Sequence, residues 1–305
     1  DLVWIMESAR LGSELVANGY YYQFFNEESL LNAAIRGGKA VMGEAEFDAL
    51  ILFKEKALPA AAAEKLAELA AQGIPVLWAG SQPDHDPGYF EHELRDRRVR
   101  EAVAKTSSPV LETAAQVVTA LRDCGVTPQV AYDSPQPGLG FIHKIDRSSG
   151  MHLFFLRNRL RREQTVPFVI QSDGRVPVEL DLWTGQAVRL PFEPAGTGQA
   201  RLTLTFPGYT ARMVALMGET EAAALSSAAP DIHEADLEPV QELKNFAFTA
   251  QQRLVDGSLK PIALSLPEAV DWRNRPELAG LGNPGTYEII FTMGALLPGE
   301  RCFLC

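Results

Sequence analysis

Hydrophobic positions change their period near residue 130. Before it, short unbroken apolar runs alternate with stretches where apolar residues recur every three or four positions. After it, short strand-like runs follow one another, separated by Asp, Gly, Ser and Pro turns at regular spacing. The first pattern predicts buried strands and amphipathic helices; the second predicts half-buried strands of an antiparallel sandwich.

Residues 47–84 carry the clearest unit. The run Ala49–Phe53 reads as a buried strand. Pro59 stands where a helix can start, and Ala60–Ala71 is rich in Ala, Leu, Glu and Lys, with Leu66, Leu69 and Ala70 on one face. Gly73 closes that helix and Ile74–Ala79 is the next strand. Strand, helix and strand at this length imply a parallel sheet, whose chemistry belongs past the carboxyl ends of the strands. Upstream, Leu2–Met6 is a candidate first strand, Ser8–Asn18 a helix ended by Gly19, and Tyr20–Phe25 an aromatic strand. Asn26 is an N-cap for a helix over Glu27–Ala34. Downstream, Glu91–Ala104 reads as a solvated helix and Glu112–Asp123 as an amphipathic one ended by Gly125.

Pro and Gly crowd residues 127–140, which marks a domain boundary. Beyond it, seven strands are expected: Phe141–Lys144, Met151–Asn158, Gln164–Ile170, Val176–Asp181, Ala187–Leu190, Ala200–Phe206 and Thr210–Leu216. Trp183-Thr184-Gly185-Gln186 is a hairpin turn among them. An Ala-, Ser- and acid-rich linker follows. The last segment carries strands at Phe246–Gln252, Ile262–Leu266 and Thr286–Met293, around a loop over Asp271–Gly285. The fold class is α/β followed by all-β. It comprises a flavodoxin- or amidotransferase-like parallel-sheet domain (1–130), an antiparallel β-sandwich (131–216), a linker (217–239) and a partial jelly-roll-like β domain (240–305), half a sandwich with an open edge.

Composition narrows the function. Basic residues number 28 against 39 acidic in a chain of 305, a net charge of −11. That argues against a general nucleic-acid binder, which needs a basic face. The run from Arg157 to Arg162 reads as a solvated hairpin edge. No stretch of 18 apolar residues occurs, so no membrane-spanning helix is expected. The sequence starts at Asp1 without Met, which leaves export of a longer parent open. Of the three cysteines, Cys124 stands alone, and Cys302 and Cys305 form a C-x-x-C with no second half, a weak metal or redox signal.

The richest cluster of titratable groups is Asp84–Glu93, past a strand end. Ser81 there can serve as a nucleophile, with His85 (or His92) as base and Asp84 orienting it. No G-x-S-x-G elbow surrounds the serine. Asp84, Asp86, Glu91 and Glu93 offer oxygens for calcium, though not at EF-hand spacing. The competing reading of the whole stretch is a solvated polar loop. His143 and His152 flank the turn Asp146–Gly150 and read first as a cross-strand pair; with Asp146 they are also a donor set for a metal. Trp183 and Trp272 are candidate platforms for stacking on a sugar ring, against the alternative of capping the core.

Several phrases resemble the C-terminal half of glycoside hydrolase family 106, the α-L-rhamnosidase-like enzymes. They are Leu11-Gly12-Ser13-Glu14-Leu15-Val16-Ala17-Asn18-Gly19-Tyr20, the strand from Phe47 with its Leu58-Pro59 helix, Ser81-Gln82-Pro83 through Pro87-Gly88, Gly140-Phe141-Ile142-His143 followed by Phe154–Asn158, Glu179–Gly185, and Trp272 through Phe291. Each phrase is loose, but their order covers nearly the whole chain. Members of that family carry a catalytic barrel with acidic residues and a calcium ion, and no position here matches those catalytic residues. The α/β part also resembles class I glutamine amidotransferases and the trimerisation domain of some β-galactosidases. The amidotransferase nucleophile would fall at Gly80, next to Ser81, so the cysteine that thioester chemistry needs is absent. The resemblance implies an accessory portion, carbohydrate-binding or structural, of a glycoside hydrolase-like protein. The alternative is an autonomous hydrolase of small esters or lactones using the loop after residues 74–79, with or without a metal. The expected partners are a carbohydrate or small-molecule ligand, with no nucleic acid and no membrane, and oligomer contacts through the α/β domain.

Overall fold

A computed structural model describes residues 2–182, 184–227, 241–269, 271, 275–278, 281–282, 284–295 and 302. Its contacts divide the chain into two units, residues 1–235 and 236–305.

The first unit opens with helix α1 (Leu2–Ala17). Leu2–Met6 is therefore helical and not a strand; no Gly or Pro interrupts residues 2–11, so the helical register simply runs through the apolar stretch. Gly19 ends the turn after α1 at φ +85, and a Cβ there would lie 1.8 Å from the Val130 carbonyl oxygen. Tyr20–Phe25 is not a strand either. Its backbone and rings are engaged elsewhere: the Tyr21 N–H donates to Gln129 Oε1 at 2.8 Å, the Tyr20 hydroxyl donates to the Val126 carbonyl at 3.1 Å, and the Tyr21 ring packs on Phe141.

Asn26 caps α2 (Glu27–Leu31), accepting from the Ser29 N–H at 2.9 Å; this helix ends three residues before the sequence pattern suggests. A meander follows, β1 (Ala34–Arg36), β2 (Lys39–Met42) and β3 (Ala45–Phe47). Gly37 and Gly38, at φ +59 and +78, supply the two positive angles that a tight hairpin turn requires.

Next come β4 (Leu50–Phe53), α3 (Ala60–Ala71), β5 (Val76–Ala79), α4 (His92–Lys105), β6 (Val110–Leu111) and α5 (Ala114–Asp123). The three strands form a parallel sheet in the order β4-β5-β6. Alternation decides its layers. Leu50, Leu52, Val76 and Trp78 join the core with Leu66 and Leu69 of α3 and Val99 and Val103 of α4. Leu77 and Ala79 join Leu11 and Leu15 of α1 and Val117, Val118 and Leu121 of α5, with Ile51 and Phe53 packed against them. Helices thus cover both faces, and β5 is buried at all four residues. α4 is less solvated than its charge suggests, since Val99, Ala102 and Val103 are buried. A capping box between Thr113 and Gln116 starts α5.

The all-β part contains β7 (Ala131–Tyr132), β8 (Leu139–Asp146), β9 (Met151–Asn158), β10 (Gln164–Gln171), β11 (Val176–Leu180), β12 (Ala187–Arg189), β13 (Glu193–Gly196), β14 (Gln199–Phe206) and β15 (Ala211–Met217). Two antiparallel sheets, β13-β14-β10-β7 and β12-β11-β15-β9-β8, enclose one core of Phe141, Phe154, Leu156, Phe168, Leu202, Leu204, Phe206 and Val214. Val16 and Tyr21 pack against that core. All seven strands read from the sequence are present. The stretch read as a linker opens differently: residue 217 ends β15, helix α6 (Glu219–Ala222) buries Ala222 beside Val176 and Val178, and Ser227 bridges to Arg189. The rest of it lies outside the described residues.

In the second unit, β16 (Phe246–Arg253) pairs with β17 (Leu259–Leu266) and β18 (Gly285–Glu288) in a sheet of order β17-β16-β18. One face buries Phe248, Leu266 and Leu278. β18 is shorter than the strand read from the sequence. Ile290, Phe291 and Met293 beyond it are exposed.

Candidate functional site

The loops past β4 and β5 meet at the carboxyl end of the parallel sheet. Phe53 is followed by Lys54 at φ +54, and Ala79 by Gly80 at φ +82. The Lys54 N–H donates to the Ala79 carbonyl at 2.7 Å and the Gly80 N–H to the Leu111 carbonyl at 2.9 Å, so all three strand ends are laced together. The two loops then run side by side: the Asp84 N–H donates to the Lys56 carbonyl at 3.2 Å, and the Leu58 N–H to the His85 carbonyl at 3.1 Å.

This lacing sets the position of Ser81. Its hydroxyl donates to the Glu55 carbonyl at 3.0 Å. Among the described residues, no hydrogen bond joins Ser81 to His85 or His92. His85 instead turns to its neighbour: its Nδ1 lies 2.6 Å from Asp84 Oδ1, both side chains facing solvent. The hydrogen bond from His85 holds the Asp84 carboxyl below its ordinary value. His92 stacks on Tyr89, with ring centroids 5.4 Å apart, at the exposed start of α4. Asp84 and His85 are therefore brought together, and Ser81 is not brought to them.

The carboxylates named for calcium separate as well. Asp86 turns inward. Its Oδ2 accepts from the Ala60 N–H at 2.7 Å, its Oδ1 accepts from the Gly88 N–H at 2.7 Å, and Arg95 Nη2 pairs with Oδ1 at 2.8 Å. Burial pushes the Asp86 carboxyl upward, but these donors outweigh it and hold the group below the ordinary carboxylate range. Asp84, Glu91 and Glu93 stand exposed. Among the described residues, no three or more His, Cys, Asp or Glu side chains gather into one group. The spacing of acids in a loop says nothing about which of them faces inward; the run Asp86-Pro87-Gly88 ahead of a helix, an Asx-turn signal, was the available hint for Asp86.

Trp183 and Trp272 lie outside the described residues, as does Cys305. The Asp181 N–H donates to the Gln186 carbonyl at 2.8 Å, and Gly185 takes φ +71. Cys124 and Cys302 are exposed thiols. His143 and His152 do meet, across β8 and β9, with Nε2 and Nδ1 3.1 Å apart. Two features of the strand-end loops escaped sequence reading. Glu55, beside Ser81, has its carboxyl raised by partial burial. Tyr89 and Phe90 project into solvent, 89% and 75% exposed.

No family model matches the chain, and no curated protein matches it. Among solved structures it is similar to a rhamnosidase from Novosphingobium sp. PP1Y, with a TM-score of 0.55 and 19% identity over 80% of this chain and 24% of that one. It is also matched to an alpha-L-fucosidase isoenzyme 2 from Paenibacillus thiaminolyticus, with a TM-score of 0.43 and 10% identity over 68% of this chain and 44% of that one. The first likeness shows a shared fold. The chain spans about a quarter of the rhamnosidase's length. Among the described residues, no helix is long and apolar enough to cross a membrane.

Proposed function

We propose that this chain is an accessory portion of a glycoside hydrolase-like protein of the family 106 type, contributing carbohydrate binding or packing and not bond cleavage. In this reading, the α/β part (1–130) and the sandwich (131–216) act as carriers for surfaces around the strand-end loops. The observation that carries it is the orientation of Ser81: its hydroxyl is committed to the Glu55 carbonyl, and among the described residues it has no hydrogen bond to a histidine that could take a proton. The likeness in fold to part of a rhamnosidase supports the same reading, because that part is about a quarter of the larger chain. Function resides in sites and not in folds, so the fold supports the class of parent protein and nothing finer.

The test is turnover by the purified, folded chain of aryl glycosides including α-L-rhamnoside, short-chain aryl esters and acyl lactones. The expected result is no turnover, together with retardation of the chain in gels containing an immobilised polysaccharide. Ester or lactone turnover that disappears in Ser81→Ala would overturn the proposal.

A further inference from the structure

His143 and His152 occupy one face of the β8–β9 pair. His143 lies opposite Phe154 and His152 opposite Ile145, so alternation puts both rings on the side that carries the buried Phe141, Phe154 and Leu156. The His143 ring is set by a parallel stack on Phe154, with centroids 4.3 Å apart and planes 6° apart. His143 Nε2 and His152 Nδ1 then stand 3.1 Å from each other.

That separation matches the bite of a single metal ion. With metal–nitrogen bonds of about 2.0–2.1 Å, two imidazole nitrogens sit roughly 2.9 Å apart at a right angle and roughly 3.4 Å apart at the tetrahedral angle. Asp146, named with the pair from sequence, is not part of it. It faces the opposite side of the strand, and its oxygens accept hydrogen bonds from the Ser148 and Ser149 hydroxyls at 2.8 and 2.6 Å.

We propose that His143 Nε2 and His152 Nδ1 form a two-nitrogen chelate for a first-row divalent ion of the Zn²⁺, Ni²⁺ or Cu²⁺ type, with water completing the coordination. These are the ions that imidazole suits. In the resting pair, one of the two facing nitrogens carries a proton and the other accepts it. On binding, that proton moves through solvent to the other nitrogen of the same ring. Both facing nitrogens then offer lone pairs, and no net proton is released. The charged groups around the pair come in opposite signs: Lys39 is ion-paired to Asp48 at 2.9 Å, and Arg175 and Asp173 act on His152 in opposite senses.

The test is calorimetric titration of Ni²⁺ into the full chain, with Cys124, Cys302 and Cys305 replaced by Ser to remove thiol competition. Of the five histidines, the other three are His85, His92 and His233. The expected result at pH 7.5 is saturable binding whose heat does not depend on the buffer's ionisation enthalpy. Affinity should fall at least about tenfold in His152→Gln, since even outer contacts of a metal site are worth that much. It should hold in His85→Gln and His92→Gln. Equal affinity in His152→Gln overturns the proposal. Should that variant fail to fold, the Cu²⁺ electron paramagnetic resonance spectrum of the unsubstituted-histidine chain decides. Splitting from two imidazole nitrogens supports the chelate; splitting from one or none overturns it.

Discussion

The Asp86 carboxylate reaches back twenty-six positions to accept the Ala60 backbone N–H at 2.7 Å. Ala60 is the first residue of α3, and Pro59 before it has no capping side chain. A helix needs partners for its first N–H groups, and here the partner comes from a distant loop. The same carboxylate holds Gly88 and Arg95, so one buried group joins α3, the strand-end loop and α4.

Asp86→Ala should therefore be among the most damaging single changes in the first unit. It leaves a helix N–H and a guanidinium without their acceptor in a site whose carboxylate is fully covered. The expected cost is about 3 kcal/mol, read as a lower urea midpoint. Asp86→Asn keeps one acceptor oxygen and should lose less.

The pH dependence follows from the same contacts. The folded carboxyl lies below its unfolded value, because the two backbone donors and Arg95 outweigh the effect of burial. A group shifted this way stabilises the fold above its unfolded value, near 3.8. That stabilisation is lost as pH falls through the lower, folded value. Acid unfolding of the chain should thus begin below about pH 4 for this group, and Asp86→Asn should flatten that part of the stability profile.

How far the sequence could be read depended on whether local pattern or distant contact decides the structure. The sandwich strands are short runs between regularly spaced Asp, Gly, Ser and Pro turns, and that local punctuation located β8, β9, β10, β11, β12, β14 and β15 within a few residues. Gly37-Gly38 between two short runs was a readable hairpin signal that went unused. Tyr20–Phe25 has strand composition, but long-range bonds to Val126 and Gln129 decide its path, and no window of local sequence contains those partners. The geometry around Ser81 was beyond local reading for the same reason. Ser81 and His85 are four positions apart, yet the orientation of the hydroxyl is set by Glu55 on another strand end.

Asn158 shows the same long-range logic inside the sandwich. It is fully buried, and its amide nitrogen donates to the carbonyls of Arg162, Phe206 and Pro207 at 2.8–3.0 Å. Its oxygen accepts from the Leu160 N–H at 2.9 Å. Asn158→Asp replaces the donors with a charge aimed at three carbonyls. It should destabilise by about 3 kcal/mol or more, and by more than Asn158→Ala, in chemical denaturation.

Tyr132 predicts the opposite sign. Among the described residues, its hydroxyl is the one buried side-chain oxygen with no hydrogen-bond partner, and burial raises the group well above its ordinary value. Removing an unsatisfied buried hydroxyl relieves a desolvation cost while the ring still packs against the sandwich core. Tyr132→Phe should leave thermal stability unchanged or raise it by up to about 1 kcal/mol. A clear loss would mean that the hydroxyl has a partner in solution.

Ser81 separates a structural role from a chemical one. Its hydroxyl ties the turn after β5 to the Glu55 carbonyl after β4, in a half-buried position. Ser81→Ala should cost about 1 kcal/mol, the usual net worth of such a bond. Ser81→Thr can keep the hydroxyl in place and should cost less. If Ser81 were a nucleophile, the two variants would instead differ in turnover at equal stability. Denaturation and hydrolysis assays on the same preparations distinguish the cases: an effect confined to the unfolding midpoint assigns Ser81 to the frame of the strand-end loops, and an effect confined to turnover assigns it to chemistry.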